Sequence, residues 1–235
     1  NKKYCLIKFI VCMKTLSELK SAALQSLKGK WALCVFATLV YFLCCIPYSY
    51  INFKIQFQNF SEPSFNSMNL LLLMYAYLFI IMMPLAYGYS VSFLKLVRED
   101  DDYMISQMFR NFANYKRAFL VPLIVFIYTV LWSLLLIIPG IIKSLSYSMT
   151  YFISKDHPEY TINECIEESM RIMKGNKWRL FILQLSFIGW ILLTILTLGI
   201  GILWLLPYMY ITIVHFYEEI KNENQPQQIE EVTEN

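Results

Sequence analysis

The chain has 235 residues, of which 57% are hydrophobic, 17% aromatic and 16% charged, with a formal net charge of +3. Soluble globular domains carry roughly 45–50% apolar and about 25% charged residues, so this composition excludes an ordinary water-soluble domain. So small a net charge also argues against nucleic acid as a partner. The charges are segregated: residues 31–53, 63–94, 118–142 and 180–214 contain no Asp, Glu, Lys or Arg. A helix crossing a bilayer needs about 20 apolar residues, and each of these runs supplies that length.

Residues 1–14 read as an N-terminal extension: Met13-Lys14-Thr15 resembles an ordinary start, and no small-residue cleavage site follows the short apolar patch before it. Thr15 and Glu18 have capping-box spacing, Leu16, Leu19, Ala23 and Leu27 recur at helical period, and Gly29 supplies a stop. The pattern predicts an interfacial helix over 15–28. Lys30-Trp31 then leads into a first span at 31–50. A polar loop over 52–69 is followed by a second span at 70–94, expected to bend at Pro84 and loosen at Gly88.

Asp100, Asp101 and Asp102 suit a helix N-terminus, and Ile105, Met108, Phe109 and Phe112 continue at helical spacing, predicting a second interfacial helix over 102–114. The aspartates lack the alternating ligands and glycine of a calcium loop. A third span occupies 118–138. Pro139-Gly140 is expected to break the chain before a fourth span at 141–154, on which Lys143, Tyr147 and Tyr151 fall four residues apart.

Thr161 to Phe181 is the best-marked stretch. Thr161 and Glu164 repeat the capping box, Ile162, Cys165, Ile166, Met170 and Met173 form an apolar stripe, and Gly175 supplies the stop before Lys177-Trp178. It predicts a third interfacial helix over 161–174. Aligning Thr15 with Thr161 superimposes Glu18 on Glu164, Lys28 on Lys174 and Gly29 on Gly175, and one inserted residue, Asn176, brings Lys30-Trp31 onto Lys177-Trp178. With the weaker middle copy this reads as three units, each an interfacial helix followed by a hairpin. Residues 180–214 would extend about 50 Å as one helix, against a hydrocarbon core of about 30 Å. The Leu198-Gly199-Ile200-Gly201 step therefore divides them into spans at 180–198 and 201–217. Residues 222–235, rich in Gln and Glu, read as a disordered tail after a membrane domain over 15–221.

Seven Lys precede Trp31, and further Lys and Arg flank the second and third polar blocks, whereas the opposite loops offer Lys54 and, near the membrane edge, Lys143. The positive-inside rule then places both termini and all three interfacial helices in the cytoplasm. The expected fold is all-α, a polytopic membrane protein of six transmembrane helices in three hairpins, each preceded by a cytoplasmic amphipathic helix.

Three segments carry a resemblance: Leu131 to Lys143 (LWSLLLIIPGIIK), Met173 to Phe181 (MKGNKWRLF), and Leu185 to Trp190 (LSFIGW) with Leu198-Gly199-Ile200-Gly201 and Pro207-Tyr208. They are similar to the bacterial integral-membrane family catalogued as domain of unknown function 975, most densely from Trp132 to Tyr217. The resemblance implies a bacterial inner-membrane protein and supplies no activity or catalytic residues.

The chemistry-bearing residues are few. Lys143 and His215 are the two ionisable side chains within the spans. Lys143 is placed to snorkel to the outer headgroups, or, with Tyr147, Tyr151 and His215, to line a small polar cavity. Asp156-His157 before Pro158 reads as a helix end rather than a catalytic dyad. The cysteines, at 5, 12, 34, 44, 45 and 165, have no metal-ligand spacing. No cofactor, metal site or catalytic set is expected, and the chain is read as a non-enzyme. The leading expectation is a membrane component whose Arg171, Lys174, Lys177, Trp178 and Arg179 meet anionic lipid or a protein partner on the cytoplasmic face; the alternative is a transporter or permease-like protein.

Overall fold

A computed structural model describes the backbone of residues 14–58, 65–99 and 104–233, and the side chains of 14–56, 68–98 and 104–224. Among the described residues there is helix and turn and no strand. Four stretches are long and apolar enough to cross a membrane: Trp31–Gln56, Met68–Arg98, Met104–Leu135 and Lys177–Leu196.

Helix α1 (Leu16–Leu27) begins with a complete capping box: the Thr15 amide donates to Glu18 Oε2 at 2.6 Å and the Glu18 amide to Thr15 Oγ1 at 3.3 Å. It ends where Lys28 is extended and Gly29 takes φ +85°, with the Lys30 amide bonded to the Leu27 carbonyl at 2.9 Å. That is a type II turn, whose third position needs a positive φ. Leu19, Ala23 and Leu27 on one face are fully buried.

Helix α2 (Trp31–Gln58) runs further than expected, taking in Asn52–Gln58 of the anticipated loop. Helix α3 (Phe65–Tyr77) packs against it and passes through a π-helical turn, Leu78–Met82, into α4 (Met83–Glu99). The distortion lies directly before Pro84. A proline at this position cannot donate to the Ile80 carbonyl, and the Tyr115 hydroxyl bonds that carbonyl instead at 2.9 Å. Gly88 does not loosen the helix as expected. A Cβ there would lie 2.2 Å from the backbone oxygen of Met108, so the glycine admits helix α5 (Met104–Arg110) at close range.

The expected helix over 102–114 is α5 followed by a 3₁₀ turn, Asn111–Asn114; Asp100, Asp101 and Asp102 lie outside the described residues. Helix α6 (Tyr115–Leu135) then meets the one clear correction to the expected breaks. The chain reverses at Leu136, which is extended (φ −162°, ψ 145°), and Pro139-Gly140 sits inside the first turn of α7 (Ile137–Tyr147). A helix's first turn has no intrahelical acceptor for its amides, so proline costs nothing there. The expected fourth span is in fact α7 and α8 (Thr150–Asp156), parted at Ser148–Met149.

Helix α9 (Ile162–Ile172) repeats the capping box with Thr161 and Glu164 at the same 2.6 and 3.3 Å, and Gly175 has φ +93° in the following turn. Next come α10 (Lys177–Leu185), a turn at Ser186–Phe187, and α11 (Ile188–Leu196). Helix α12 (Ile202–Thr233) continues past Asn222, where the sequence suggests a disordered tail.

The core is aromatic as well as aliphatic. Tyr89 of α4 stacks on Tyr41 of α2 at 4.8 Å and meets Tyr210 of α12 edge-on at 5.2 Å, while Phe93 stacks on Tyr210 at 5.3 Å. The Tyr89 hydroxyl, fully buried, pairs with Thr38 Oγ1 at 2.8 Å. In a bilayer helices associate through van der Waals packing and such hydrogen bonds, because hydrocarbon is as apolar as leucine.

Candidate functional site

The polar residues that border the charge-free runs converge at one end of the bundle. Arg98 closes α4, Asp156 closes α8, and Tyr217, Glu218 and Lys221 lie where α12 leaves its apolar stretch. Asp156, 5% exposed, accepts from both ends of the Arg98 guanidinium at 2.5 and 2.8 Å, from Tyr217 at 2.7 Å and from Lys221 at 2.6 Å. Arg98 Nε also donates to Glu218 at 2.7 Å. Burial alone would raise the Asp156 pKa; the hydrogen bonds from Arg98, Lys221 and Tyr217 outweigh it and hold the pKa at about 2. The carboxylate is thus an anionic hub joining three helices.

A second cation organises the connection after Asp156. Arg117, at the start of α6, donates to the carbonyls of Ser154, His157, Pro158 and Tyr160 at 2.7–3.1 Å and to Ser154 Oγ at 2.8 Å. A guanidinium has five N–H donors in a fixed fork, and here they hold the α8–α9 turn. His157, the C-cap of α8, turns away from Asp156: its Nδ1 lies 2.9 Å from Glu159 and its ring stacks on Tyr160 at 4.5 Å. Adjacent in sequence, Asp156 and His157 serve separate contacts.

Between these groups is a polar cleft of about 310 Å³, lined by Arg98, Asp156, Glu168, Arg171, Tyr217 and Lys221 among others. A second, apolar cleft of about 440 Å³ lies between α1, α11 and α12, walled by Trp31, Trp190, Trp204 and Tyr208.

The residues expected to meet lipid or a partner divide. Lys174 and Trp178 are exposed, Trp178 at 68%, with its indole on Phe181 at 5.3 Å. Lys177 is half-buried. Arg171 is exposed but grips Glu168 through two bonds of 2.7 Å. Arg179 is turned inward: it pairs with Glu219 at 2.8 Å, the two side chains 16% and 7% exposed, and lies 5.3 Å from the Phe216 ring. It also bonds the Lys14 carbonyl. Arg179 is therefore engaged in holding the base of α10 to α12.

Of the four residues of the expected cavity, Lys143 and Tyr147 meet each other, while Tyr151 and His215 lie in separate surroundings. The Lys143 ammonium sits 4.6 Å from the Trp132 ring and 6.0 Å from that of Tyr147, and touches Met170 Sδ at 3.9 Å. Through Met170 it touches α9. Tyr151 packs edge-on against Tyr87 at 5.7 Å, and His215 Nε2 meets Ser26 Oγ at 2.9 Å. Neither cleft is lined by any of the four.

The Asp156 cluster is not evident from the sequence, where Asp156 reads as part of a helix end beside His157. The available clue is position: Arg98, Arg117, Arg179 and Glu218 each stand within four residues of the end of a charge-free run, whereas Asp156 is separated from the nearest one by Lys143 and the residues after it.

No curated protein and no solved structure matches this chain. A family profile described as "Protein of unknown function (DUF975)" matches residues 13–142 and 134–224, which take in α1 to α11, most of α12 and all the groups of the charged cluster; the chain belongs to that family.

Proposed function

We propose that the chain is a non-enzymatic integral protein of the bacterial inner membrane that crosses it six times with both termini in the cytoplasm, and that it engages anionic lipid headgroups at its charged end. The observation that carries this reading is the α9–α10 junction, where exposed Lys174 and Trp178 stand beside the start of an apolar stretch long enough to cross a bilayer. Indole rings favour the headgroup level, and a lysine near an anionic surface contributes about 1 kcal/mol.

Six crossings are supported by the pairing of α2 with α3, α6 with α7, and α11 with α12. With six crossings, the Lys and Arg residues other than Lys54 and Lys143 fall on one side. The permease-like alternative draws its support from the polar cleft around Asp156 rather than from Lys143.

The test uses the full-length protein in nanodiscs of neutral lipid with or without phosphatidylglycerol. Anionic lipid should raise the melting temperature of the parent, and Lys174→Glu with Lys177→Glu should remove most of that increment while leaving the neutral-lipid value unchanged. An increment that survives both charge reversals sinks the reading.

A further inference from the structure

Helices α1 and α9 correspond in the alignment of Thr15 with Thr161, yet their apolar residues are covered differently. The alignment sets Leu24 on Met170. Met170 is half-buried, and its sulfur lies 3.9 Å from the Lys143 ammonium of α7. Leu24 is 46% exposed, and with Trp31 it forms one wall of the apolar cleft, whose other walls are α11 and the first two turns of α12. The place that α7 fills beside α9 is open beside α1.

The cleft opens sideways and its floor is apolar. Trp190, Leu193 and Trp204 on its walls are 48–53% exposed. Its two threonines turn their hydroxyls to their own chain: Thr194 donates to the Ile191 carbonyl at 2.7 Å and Thr197 to the Thr194 carbonyl at 2.9 Å, and Thr197 Oγ1 accepts from the Gly201 amide at 3.0 Å. At about 440 Å³ the space falls within the roughly 300–1,000 Å³ of pockets that hold small molecules. In the six-crossing arrangement α11 and α12 are the third hairpin, so the opening faces hydrocarbon. Left empty, such a groove would deprive its lining of dispersion contacts on one side.

One end of the cleft is polar. Lys20 stands one turn before Leu24 on α1. It gives one of its three N–H donors to the Ser186 carbonyl at 3.2 Å, and its ammonium lies 4.5 Å from the Phe187 ring, which meets Tyr208 of the cleft wall edge-on at 5.3 Å. Ser186 and Phe187 directly precede α11, so Lys20 marks the end nearer the charged side of the bundle, and Thr197 the end farther from it. The Tyr208 hydroxyl and the indole N–H groups of Trp190 and Trp204 make no hydrogen bond among the described residues. Such groups ordinarily find a partner when they are covered. An apolar bed with donors along it and a cation at one end suits an amphiphile with an anionic head.

The geometry points to a phospholipid site: one acyl chain of a bilayer phospholipid lies in the cleft between α1, α11 and α12, with its phosphate at Lys20. The chain gives Leu24 the cover that α7 gives Met170. The phosphate takes the two remaining Lys20 donors in charge-assisted bonds. The inference rests on the membrane setting of the proposed function and is independent of headgroup contact at Lys174 and Trp178.

The test places the full-length protein in neutral-lipid nanodiscs with a trace of phosphatidylcholine that carries a diazirine on one acyl chain, and locates adducts by peptide mass mapping after illumination. Labelling within 188–208 should exceed that of Leu39, Leu43 and Ile46, exposed residues of α2 that meet bulk lipid, by at least about five-fold. Leu24→Trp with Leu193→Trp fills the cleft and should bring the two regions level. Lys20→Gln leaves the cleft intact and should lower its labelling about five-fold or more, with Lys20→Arg restoring it. If the filled variant does not fold, Lys20→Gln alone decides. Labelling no higher in the cleft than on α2, or unchanged in either folded variant, overturns the inference. Lys174→Glu with Lys177→Glu should leave cleft labelling unchanged, so failure of the headgroup reading is seen separately.

Discussion

Replacing Asp156 by asparagine removes the charge from the hub while keeping its size. The folded-state pKa of about 2 against the ordinary 3.8 corresponds to about 2 kcal/mol of stabilisation. Because the folded value is the lower one, this contribution is fully present above pH 3.8 and is lost as the pH falls towards 2. The substitution should cost somewhat more, since it leaves Lys221 and Arg98 facing a neutral amide; removing one member of a buried pair costs about 3–5 kcal/mol. Glu218 still holds Arg98, so about 3 kcal/mol is expected, or a melting temperature lowered by roughly 6–12 °C in a chain of this size. The assay is thermal unfolding of the purified protein at neutral pH, with Arg98→Gln and the double variant completing a cycle. The double variant should lose clearly less than the sum of the two. A melting point within about 1 °C of the parent for Asp156→Asn, or strict additivity, would refute the hub.

Two further outcomes are expected. Arg117→Lys keeps the charge but cannot reach the carbonyls of Ser154, His157, Pro158 and Tyr160 together; amide exchange at residues 157–161 should rise, with a loss of about 1–3 kcal/mol, and unchanged protection there would count against the clamp. Gly88→Ala drives a methyl against the Met108 carbonyl oxygen; overpacking of this kind costs about 1–3 kcal/mol, and a parent-like melting temperature would show that α4 and α5 separate freely.

Much of the fold is legible along the chain because its causes are local. Charge-free runs longer than a bilayer crossing announce the membrane helices, and Thr15, Glu18, Thr161 and Glu164 sit in capping boxes that depend only on residues three apart. Gly29 and Gly175 end their helices for an equally local reason, a positive φ. Local rules misjudged Pro139-Gly140, since a proline breaks a helix interior but is harmless in a first turn, and the chain alone does not say which turn it occupies. They also misjudged Gly88, whose meaning lies in the carbonyl of Met108 on another helix.

The candidate site was the least legible part. Hydropathy places Arg98, Arg117, Arg179 and Glu218 at the edges of apolar runs. It does not choose partners among them. Only the packing of α4, α8, α10 and α12 decided that Asp156 takes Arg98 and Lys221 rather than its neighbour His157, and that Arg179 pairs with Glu219. Depth along a membrane normal is a property of sequence composition, whereas ion pairing inside the bundle requires side chains within about 4 Å, and that is set by which helices touch.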